Sequence, residues 1–292
     1  MRVLVTGASG HVGGAVATRL AGAGHEVVGL SRRTAGPAGV SQLLSADLGG
    51  DGVLERLAAE RPCEAVVHSA AETDLDPHAP GVVMTNCLGT QRVVALAERW
   101  SCAQMVFVSS VPVIGRPRQL PVTEEHPLDP PTAYHASKLF GERLTELAGR
   151  RGMAAASLRL TSPVGPGTPP GTILGVFVRR ALAGEPLEVA GNGTRAQDYV
   201  DVRDVADGVL ACLESRSGGV FNIARGEPVA NAELAGACVA ALGSRSEVRA
   251  GSRPDPEEGV RWEVSIQRAA DAFGYSPSRT IADSILAAAG SD

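Results

Sequence analysis

The stretch RVLVTGASGHVG, residues 2–13, joins a short apolar run to a glycine-rich turn and then to the start of a helical pattern. Each glycine in the spacing Gly7, Gly10 and Gly13 has its own role. The first permits a tight turn, the second lets the backbone approach a pyrophosphate, and the third lets the helix pack on the strand. The positive end of the helix then faces the phosphates. The stretch therefore predicts a strand–turn–helix unit that binds a dinucleotide.

The first 160 residues alternate between short apolar runs and amphipathic segments. The runs are apolar nearly throughout, as parallel strands covered on both faces must be. We expect strands at 2–6, 26–31, 41–46, 64–70, 104–110 and 154–160, with helices around 12–22, 51–60, 80–99 and 133–150. This alternation predicts an α/β fold with a Rossmann-type doubly wound parallel sheet.

The pattern changes after about residue 160. The segment TSPVGPGTPPGT, residues 161–172, predicts a long loop, and SRPDPEEG, residues 252–259, predicts an exposed one. Shorter elements are expected at 173–183, 187–189, 198–201, 202–214, 219–223, 231–242 and 281–289. We therefore expect an NAD(P)-binding Rossmann domain over 1–165, to which the chain returns near 198–223, and a smaller, mainly substrate-binding C-terminal lobe over 166–292.

Composition argues against several classes of function. The formal net charge of −5 comes without a basic patch, so we expect no nucleic-acid partner. Neither an apolar stretch long enough for a membrane nor a leader pattern stands out, and we expect a cytoplasmic protein without a membrane partner. The five cysteines and six histidines form no ligand motif, and we expect no metal.

The end of the second strand bears on the choice of cofactor. NAD-binding strands end in an acidic residue that accepts from the ribose hydroxyls, whereas an arginine there holds the 2′-phosphate of NADP. Here Ser31 stands at the acidic position, and Arg32 and Arg33 follow. A pair of solvent-exposed loop arginines is the alternative interpretation. We expect NADP(H) to be favoured over NAD(H), with Asp47 after the third strand near the adenine.

The stretch TAYHASKLF, residues 132–140, contains the only lysine of a chain with 27 basic side chains. Tyr134 and Lys138 lie four residues apart and share one face of a predicted helix. A lysine cation would lower the pKa of the tyrosine and make it an acid or base near neutral pH. Ser109 and Ser110 end the preceding strand, where a hydroxyl can donate to a substrate oxygen.

Together these motifs resemble those of the extended short-chain dehydrogenase/reductase family, which includes NAD(P)-dependent nucleotide-sugar epimerases, dehydratases and ketoreductases. The resemblance implies that Ser110 is the catalytic serine, Tyr134 the acid/base and Lys138 its activator, and that Asn86 braces the site. It rests on TGASGHVG at 6–13, HSAA at 68–71, NCLGT at 86–90, SSVPVIG at 109–115, YHASK at 134–138, LRLTSPVGPG at 158–167, DYVDVRDVA at 198–206, VFNIA at 220–224 and FGYSP at 273–277.

The motif and the resemblance give a full set of candidate binding residues. The candidates for the cofactor are Gly7, Ser9, Gly10, His11, Val12, Gly13, Ser31, Arg32, Arg33, Asp47, Leu48, Ser69, Ala70, Ala71, Asn86, Tyr134 and Lys138. The candidates for the substrate are Ser109, Thr161, Arg195 and Arg253.

Departures from the family pattern narrow the reaction. Dehydratases carry an Asp-Glu pair after the catalytic serine or threonine, whereas Val111 and Pro112 stand here. Gln197 replaces an arginine that usually meets a substrate diphosphate, although Arg195 is near.

We therefore expect an NADPH-dependent ketoreductase of a small polar substrate, preferably a nucleotide-linked keto sugar. The alternatives are an NAD-dependent nucleotide-sugar 4-epimerase, a reductase of a non-nucleotide ketone such as a polyketide intermediate, and a non-catalytic dinucleotide sensor. The resemblance further implies a homodimer that pairs through the helices at 80–99 and 133–150.

Overall fold

The computed structural model describes residues 1–76, 79 and 81–290. The strands of this part are β1 Arg2–Thr6, β2 Glu26–Ser31, β3 Gln42–Ser45, β4 Ala65–His68, β5 Gln104–Ser110, β6 Ala154–Leu160, β7 Ser162–Val164, β8 Leu187–Val189, β9 Ala196–Asp201, β10 Gly219–Ile223, β11 Pro228–Ala230 and β12 Val248–Ala250. The helices are α1 His11–Gly22, α2 Val53–Ala58, α3 Gly89–Arg99, α4 Ala133–Arg150, α5 Ile173–Ala183, α6 Val202–Ser215, α7 Asn231–Ala241, α8 Gln267–Phe273 and α9 Ile281–Ala289.

A seven-stranded sheet dominates the structure, in the order β10–β6–β5–β4–β1–β2–β3, with every neighbouring pair parallel. The chain moves outward from β1 in one direction as far as β3 and then returns to β4 on the other side of β1. Ligands of such sheets bind outside the carboxyl ends of the strands, at this change of direction. The predicted Rossmann-type fold is confirmed.

Both faces of the sheet are covered by helices. Along β1, Val3 and Val5 pack in a core with α1 and α6, whereas Leu4 packs in a second core with α2 and α3. All three side chains are fully buried. Successive residues of a strand point to opposite faces, so a run without polar residues is what two covered faces require.

A smaller part of the fold lies mainly in the second half of the chain. It contains a three-stranded sheet, β11–β9–β7, and a two-stranded sheet, β12–β8. Its core is formed by α5, α7 and α9 around residues such as Leu174, Leu187, Leu234 and Ile285. Between these elements the chain returns to the large sheet as β10, which pairs with β6. The domain limits at residues 165 and 166 stay a prediction.

Several elements differ from those expected. The helix predicted at 80–99 is π-helical over Val82–Leu88 and continues as α3, and its expected first residue, Pro80, lies outside the described residues. The strands β7, β11 and β12, the helix α8 and a 3₁₀ turn at Val111–Ile114 had no counterpart among the predicted elements. Three-residue strands are too short to show a period in the sequence. None of the described helices combines the length and the apolar character needed to span a bilayer.

Candidate active site

The glycine-rich turn after β1 has the shape expected of a phosphate cradle. Gly7 has a φ of +70°, and a Cβ on it would lie 2.8 Å from the Ala70 nitrogen. A Cβ on Gly13 would lie 2.2 Å from the Gly7 carbonyl oxygen, so α1 can approach the turn only because Gly13 has no side chain. The N-cap residue Gly10 provides no side-chain cap, and the first turn of α1 carries no acidic residue. The first N–H groups of α1 are therefore available to an anion, whereas the Gly10 N–H already donates to the Gly7 carbonyl oxygen.

His11 is the first residue of α1 and lines the cavity beside this turn. Its ring nitrogens are buried without a hydrogen bond of normal geometry to a described residue, but the ring faces the backbone of Pro163, Pro166 and Gly167. The fit to a phosphate therefore rests on the glycine-rich turn and the start of α1, not on the His11 ring. These residues fit the pyrophosphate of a dinucleotide.

A cavity of about 1070 Å³ opens from this turn along the carboxyl ends of the parallel strands. It is at the upper end of the range for ligand pockets, roughly 300–1,000 Å³, and has room for a cofactor together with a substrate. Among the candidate residues, the following line it: Gly7, Ser9, Gly10, His11, Val12, Gly13, Ser31, Arg32, Arg33, Asp47, Leu48, Ser69, Ala70, Ala71, Ser109, Ser110, Tyr134, Lys138, Thr161 and Arg195. Asn86 and Arg253 do not.

The end of β2 forms the wall where the cofactor ribose was expected. Ser31 is buried, and its hydroxyl bonds to the Ser9 hydroxyl and accepts from the Arg33 backbone N–H at 2.9 Å. Arg32 lies 3.7 Å from the Glu72 carboxylate, and an Arg33 nitrogen lies 3.4 Å from the Ser9 carbonyl oxygen. Both arginines line the cavity, but each already has a partner.

Tyr134 and Lys138 come together on the first turns of α4, which Thr132 caps by accepting from the His135 N–H. The Lys138 side chain is buried, and its ammonium donates to the Val108 carbonyl oxygen of β5 at 2.8 Å. The ammonium lies 5.7 Å from the centre of the Tyr134 ring. The Tyr134 hydroxyl has no hydrogen-bond partner among the described residues, and the side chain lines the cavity. The hydroxyl is therefore free for a ligand.

The pKa of Tyr134 corrects one expectation. Lys138 was expected to lower it, but burial of the phenol raises the pKa of Tyr134 to about 12. Burial also lowers the pKa of Lys138 to about 8, although the Glu142 carboxylate opposes this shift. A low-dielectric site disfavours both charged forms, and this effect outweighs the ammonium over the Tyr134 ring. In this state Tyr134 is a proton donor at neutral pH.

The two serines at the end of β5 have different partners. Ser110 begins the 3₁₀ turn and lines the cavity. The Ser109 hydroxyl donates to Glu142 at 2.6 Å, and Glu142 forms a buried salt bridge with Arg159 at 2.8 Å. The Ser109 hydroxyl thus has a protein partner although the residue lines the cavity, and its assignment to substrate binding stays a prediction. Thr161 lines the cavity, but its hydroxyl donates to Asp198 at 2.8 Å.

Asn86 is held by hydrogen bonds inside the protein. It lies buried in the π-helical segment, accepts from the Glu72 N–H at 2.8 Å, and donates to the Glu72 carbonyl and to the Ser137 hydroxyl, both at 2.9 Å. It connects the segment after β4 to α4 and does not reach the cavity. These hydrogen bonds are compatible with the implied bracing role, and the roles of Asn86 in bracing and in cofactor binding stay predictions.

The helix that carries Tyr134 and Lys138 lies directly on β5. A Cβ on Gly141 would lie 2.3 Å from the Phe107 ring, so the backbone of α4 rests on that ring. The Lys138 ammonium lies 5.1 Å from the centre of the same ring. This contact fixes the height of α4 above the sheet.

The far end of the cavity is lined by Arg195, Gln197, Tyr199, Glu257 and Trp262, which we call the substrate end. Arg195 forms a salt bridge with Glu257 at 2.5 Å and lies 3.7 Å from Asp255. Arg253, in the same 252–259 loop, has an exposed side chain that does not line the cavity, and its carbonyl oxygen accepts from the Gly191 N–H at 2.9 Å. The assignment of Arg253 to substrate binding stays a prediction.

Sequence reasoning missed many of the residues that line the cavity, and three of them bear on binding: Arg116, Glu257 and Trp262. Arg116 lines the cavity beyond the 3₁₀ turn, and no ion pair joins it to a described residue. Glu257 and Trp262 line the substrate end. None of the three belongs to a spaced motif, and only the presence of Arg116 shortly after Ser110 could have signalled it. No group of three or more metal-ligating side chains occurs within the described ranges, and the absence of a metal stays a prediction.

Comparison with known proteins agrees with this geometry. A model described as the NAD dependent epimerase/dehydratase family matches residues 3–224. A UDP-glucose 4-epimerase of Azospirillum brasilense is 32% identical over 75% of this chain and 70% of its own length. A dTDP-glucose 4,6-dehydratase of Streptomyces antibioticus is 29% identical over 98% of this chain and 90% of its own length.

The solved structures give the same result. The UDP-glucose 4-epimerase of Thermus thermophilus, in a complex with NAD, has a TM-score of 0.87 at 27% identity and covers 100% of this chain and 98% of its own. The family match spans most of the sequence, and the structural match spans the whole fold. The chain therefore belongs to the NAD-dependent epimerase/dehydratase family, within the extended short-chain dehydrogenases/reductases, and it is an NAD(P)-dependent enzyme of that type.

Proposed function

We propose that the protein is an NAD-dependent nucleotide-sugar 4-epimerase. The observation that carries the proposal is the convergence of Ser110, Tyr134 and Lys138 on one cavity with the phosphate-binding turn. The relatives that carry the name UDP-glucose 4-epimerase support it further. The sequence alone favoured a ketoreductase, with a nucleotide-sugar 4-epimerase as an alternative, and the comparisons favour the epimerase.

Each residue of the site has a distinct role in this reaction. Ser110 donates to the substrate oxygen and orients it, and the Tyr134 hydroxyl, which has no partner among the described residues, exchanges the proton of that oxygen. Lys138, anchored to Val108, keeps its ammonium near the tyrosine and stabilises the phenolate while the proton is away. A nicotinamide cofactor held at the Gly7–Gly13 turn would supply a reversible hydride acceptor for the carbon that is epimerised. The wide cavity gives the oxidised sugar room to present its other face.

Dehydration is disfavoured by the two residues after Ser110. Val111 is buried, and Pro112 forms part of the 3₁₀ turn and lines the cavity. Neither side chain can transfer a proton, so elimination of water has no acid–base pair at this position. The dehydratase relatives therefore share the family but do not suggest the reaction.

A second candidate, an NADPH-dependent ketoreductase, is favoured by one observation. Arg32 and Arg33 line the cavity, and β2 ends without a carboxylate. The contact of Arg32 with Glu72, at 3.7 Å between partly exposed side chains, is too weak to decide against NADP, and among the described residues the Arg33 guanidinium contacts only the Ser9 carbonyl oxygen. Because of the NAD complex of the Thermus relative, we propose NAD as the working cofactor.

The two candidates differ in their use of the cofactor. The protein would be incubated with NAD and with UDP- or dTDP-linked glucose and galactose in D₂O, and the sugars followed by NMR. An epimerase interconverts the sugars, retains the C4 hydrogen without deuterium, and causes no net change at 340 nm. The ketoreductase would be established instead if a keto substrate caused a stoichiometric loss of NADPH absorbance and neither pair of glucose- and galactose-linked nucleotides interconverted. Tyr134→Phe serves as the inactive control.

The protein is also proposed to act as a homodimer. On α4 the side chains of Phe140 and Leu147 are 41% and 43% exposed, and in the neighbouring π-helical segment Val83 and Met84 are 60% and 45% exposed. Large apolar side chains clustered on one surface are typical of a protein–protein interface. Sedimentation equilibrium of Phe140→Glu beside the unchanged protein tests this, and a monomer in both samples contradicts it.

A further inference from the structure

The guanidinium of Arg195 is already engaged in the structure. Glu257 lies 2.5 Å from one terminal nitrogen, and Asp255 lies 3.7 Å from the other. In the amide orientation that satisfies both groups, the Gln197 oxygen accepts from the Arg195 Nε at 3.0 Å and from Nη2 at 2.5 Å. A substrate can therefore bind this arginine only by displacing one of its protein partners.

Glu257 is the partner that can leave. Its side chain is 39% exposed, whereas that of Asp255 is 5% exposed. Asp255 also accepts from the Glu257 backbone N–H at 2.9 Å, which ties it to its own turn. A change of side-chain torsion in Glu257 frees Arg195 without moving the backbone.

The loop that carries Glu257 is held in place independently. The neighbouring Glu258 accepts from the backbone N–H groups of Asn192 and Thr194 at 2.6 and 3.0 Å. The Gly191 N–H donates to the Arg253 carbonyl at 2.9 Å. Release of Arg195 by Glu257 thus leaves the 252–259 loop in position at the substrate end.

Carboxylate and phosphate compete for the same donors. Both accept two parallel N–H bonds from the planar fork of arginine. Glu257 therefore occupies the position on Arg195 that a substrate phosphate would take. An ion pair at a partly exposed site is weak enough to exchange, since its energy is largely offset by hydration.

We propose that Glu257 is an internal competitor for Arg195, displaced by the diphosphate of the substrate and restored when product leaves. The proposal rests on the proposed function in one respect, that the substrate carries a diphosphate. Glu257 then weakens substrate and product binding equally and speeds product release. Its removal lowers KM and, where release limits turnover, lowers kcat as well.

The test is calorimetric titration of the NAD-saturated protein with UDP and with inorganic pyrophosphate. Glu257→Gln is expected to tighten both ligands about tenfold, because the competing charge is gone. Glu263→Gln is the matched control: it removes the same charge from an exposed side chain that pairs with Arg261 at 3.2 Å outside the cavity, and it should change neither affinity. In an Arg195→Gln background, Glu257→Gln should give no gain.

The outcomes separate this proposal from the proposed function. Equal UDP affinity in the unchanged protein and in Glu257→Gln overturns the competitor while leaving a nucleotide-sugar enzyme intact. Tighter pyrophosphate binding in Glu257→Gln, with no binding of any nucleotide, supports the competitor and contradicts the nucleotide-sugar function. The proposal is also overturned if the gain in affinity persists in the Arg195→Gln background, or if Glu263→Gln gives the same gain. Either result would show that the gain comes from the change in net charge.

Discussion

Replacement of Glu142 by leucine should destabilise the protein severely although it touches no ligand. Glu142 and Arg159 are 5% and 4% exposed, and their salt bridge spans 2.8 Å. Glu142 also accepts from Arg159 Nε at 2.9 Å and from the Ser109 hydroxyl at 2.6 Å. Without it, the Arg159 guanidinium keeps one long contact, to the Glu124 carbonyl at 3.3 Å.

The magnitude follows from the charge left behind. A buried ion that loses its partner costs about 3–5 kcal/mol. The orphaned Ser109 hydroxyl adds about 1 kcal/mol, so that Glu142→Leu should lower the free energy of unfolding by roughly 5 kcal/mol. Since the free energy of unfolding of a typical protein is about 5–15 kcal/mol, the variant should fold only marginally. Glu142→Leu combined with Arg159→Met leaves no buried charge and should be more stable than Glu142→Leu alone.

Equilibrium denaturation in urea, followed by circular dichroism, measures these differences. Glu146→Leu is the matched control, because Glu146 lies one turn further along α4, pairs with the exposed Arg143 and Arg150, and should change the unfolding midpoint little. The reasoning is refuted if Glu142→Leu costs no more than Glu146→Leu. It also fails if the loss of unfolding free energy in the double variant equals the sum of the losses in Glu142→Leu and Arg159→Met.

Three further predictions concern the site and its surroundings. Tyr134→Phe should reduce turnover by a factor of about 10² to 10⁴ while the calorimetric affinity for NAD stays within about twofold; a large loss of affinity would contradict a purely chemical role. Lys138→Arg should reduce kcat by about 100-fold or more, because the guanidinium cannot occupy the ammonium position at Val108; full activity would remove Lys138 from catalysis. Burial, and to a lesser degree the charge of Lys138, lowers the pKa of His68 to about 3. The unfolded chain binds this proton near pH 6.5 and the folded chain does not, so stability should fall by about 2 kcal/mol between pH 7.5 and 5. If the stability of His68→Asn, measured by urea denaturation at both pH values, declined by a similar amount, this assignment would be contradicted.

The large sheet could be predicted because its signal is local. Each buried strand shows as a continuous apolar run, and Gly7, Gly10 and Gly13 can occupy only a turn of one geometry. The same holds for Tyr134 and Lys138, since helical periodicity alone places them on one face. Fold class, the phosphate-binding turn and the catalytic pair were therefore accessible from the sequence.

The partners of polar side chains were not accessible, because they come from distant parts of the chain. The Ser109 hydroxyl donates to Glu142 because α4 packs on β5, and nothing near Ser109 in the sequence indicates this partner. Arg195 and Arg253 were both expected to bind substrate, but the spacing of the sequence did not reveal that Glu257 pairs with Arg195. The pKa of Tyr134 depends on how deeply the site is enclosed, and spacing does not reveal this.

The contact between Gly141 and Phe107 has a consequence for engineering. Since the backbone of α4 rests on the aromatic ring, any larger residue at 141 must displace either the buried Phe107 ring or the helix that carries Tyr134 and Lys138. Random libraries built to change substrate preference would therefore accumulate inactive clones at this position, however far it lies from the substrate end. A library that varies Gly141 together with Phe107, with a smaller side chain at 107 for each larger one at 141, samples sequences that single-site variation cannot reach.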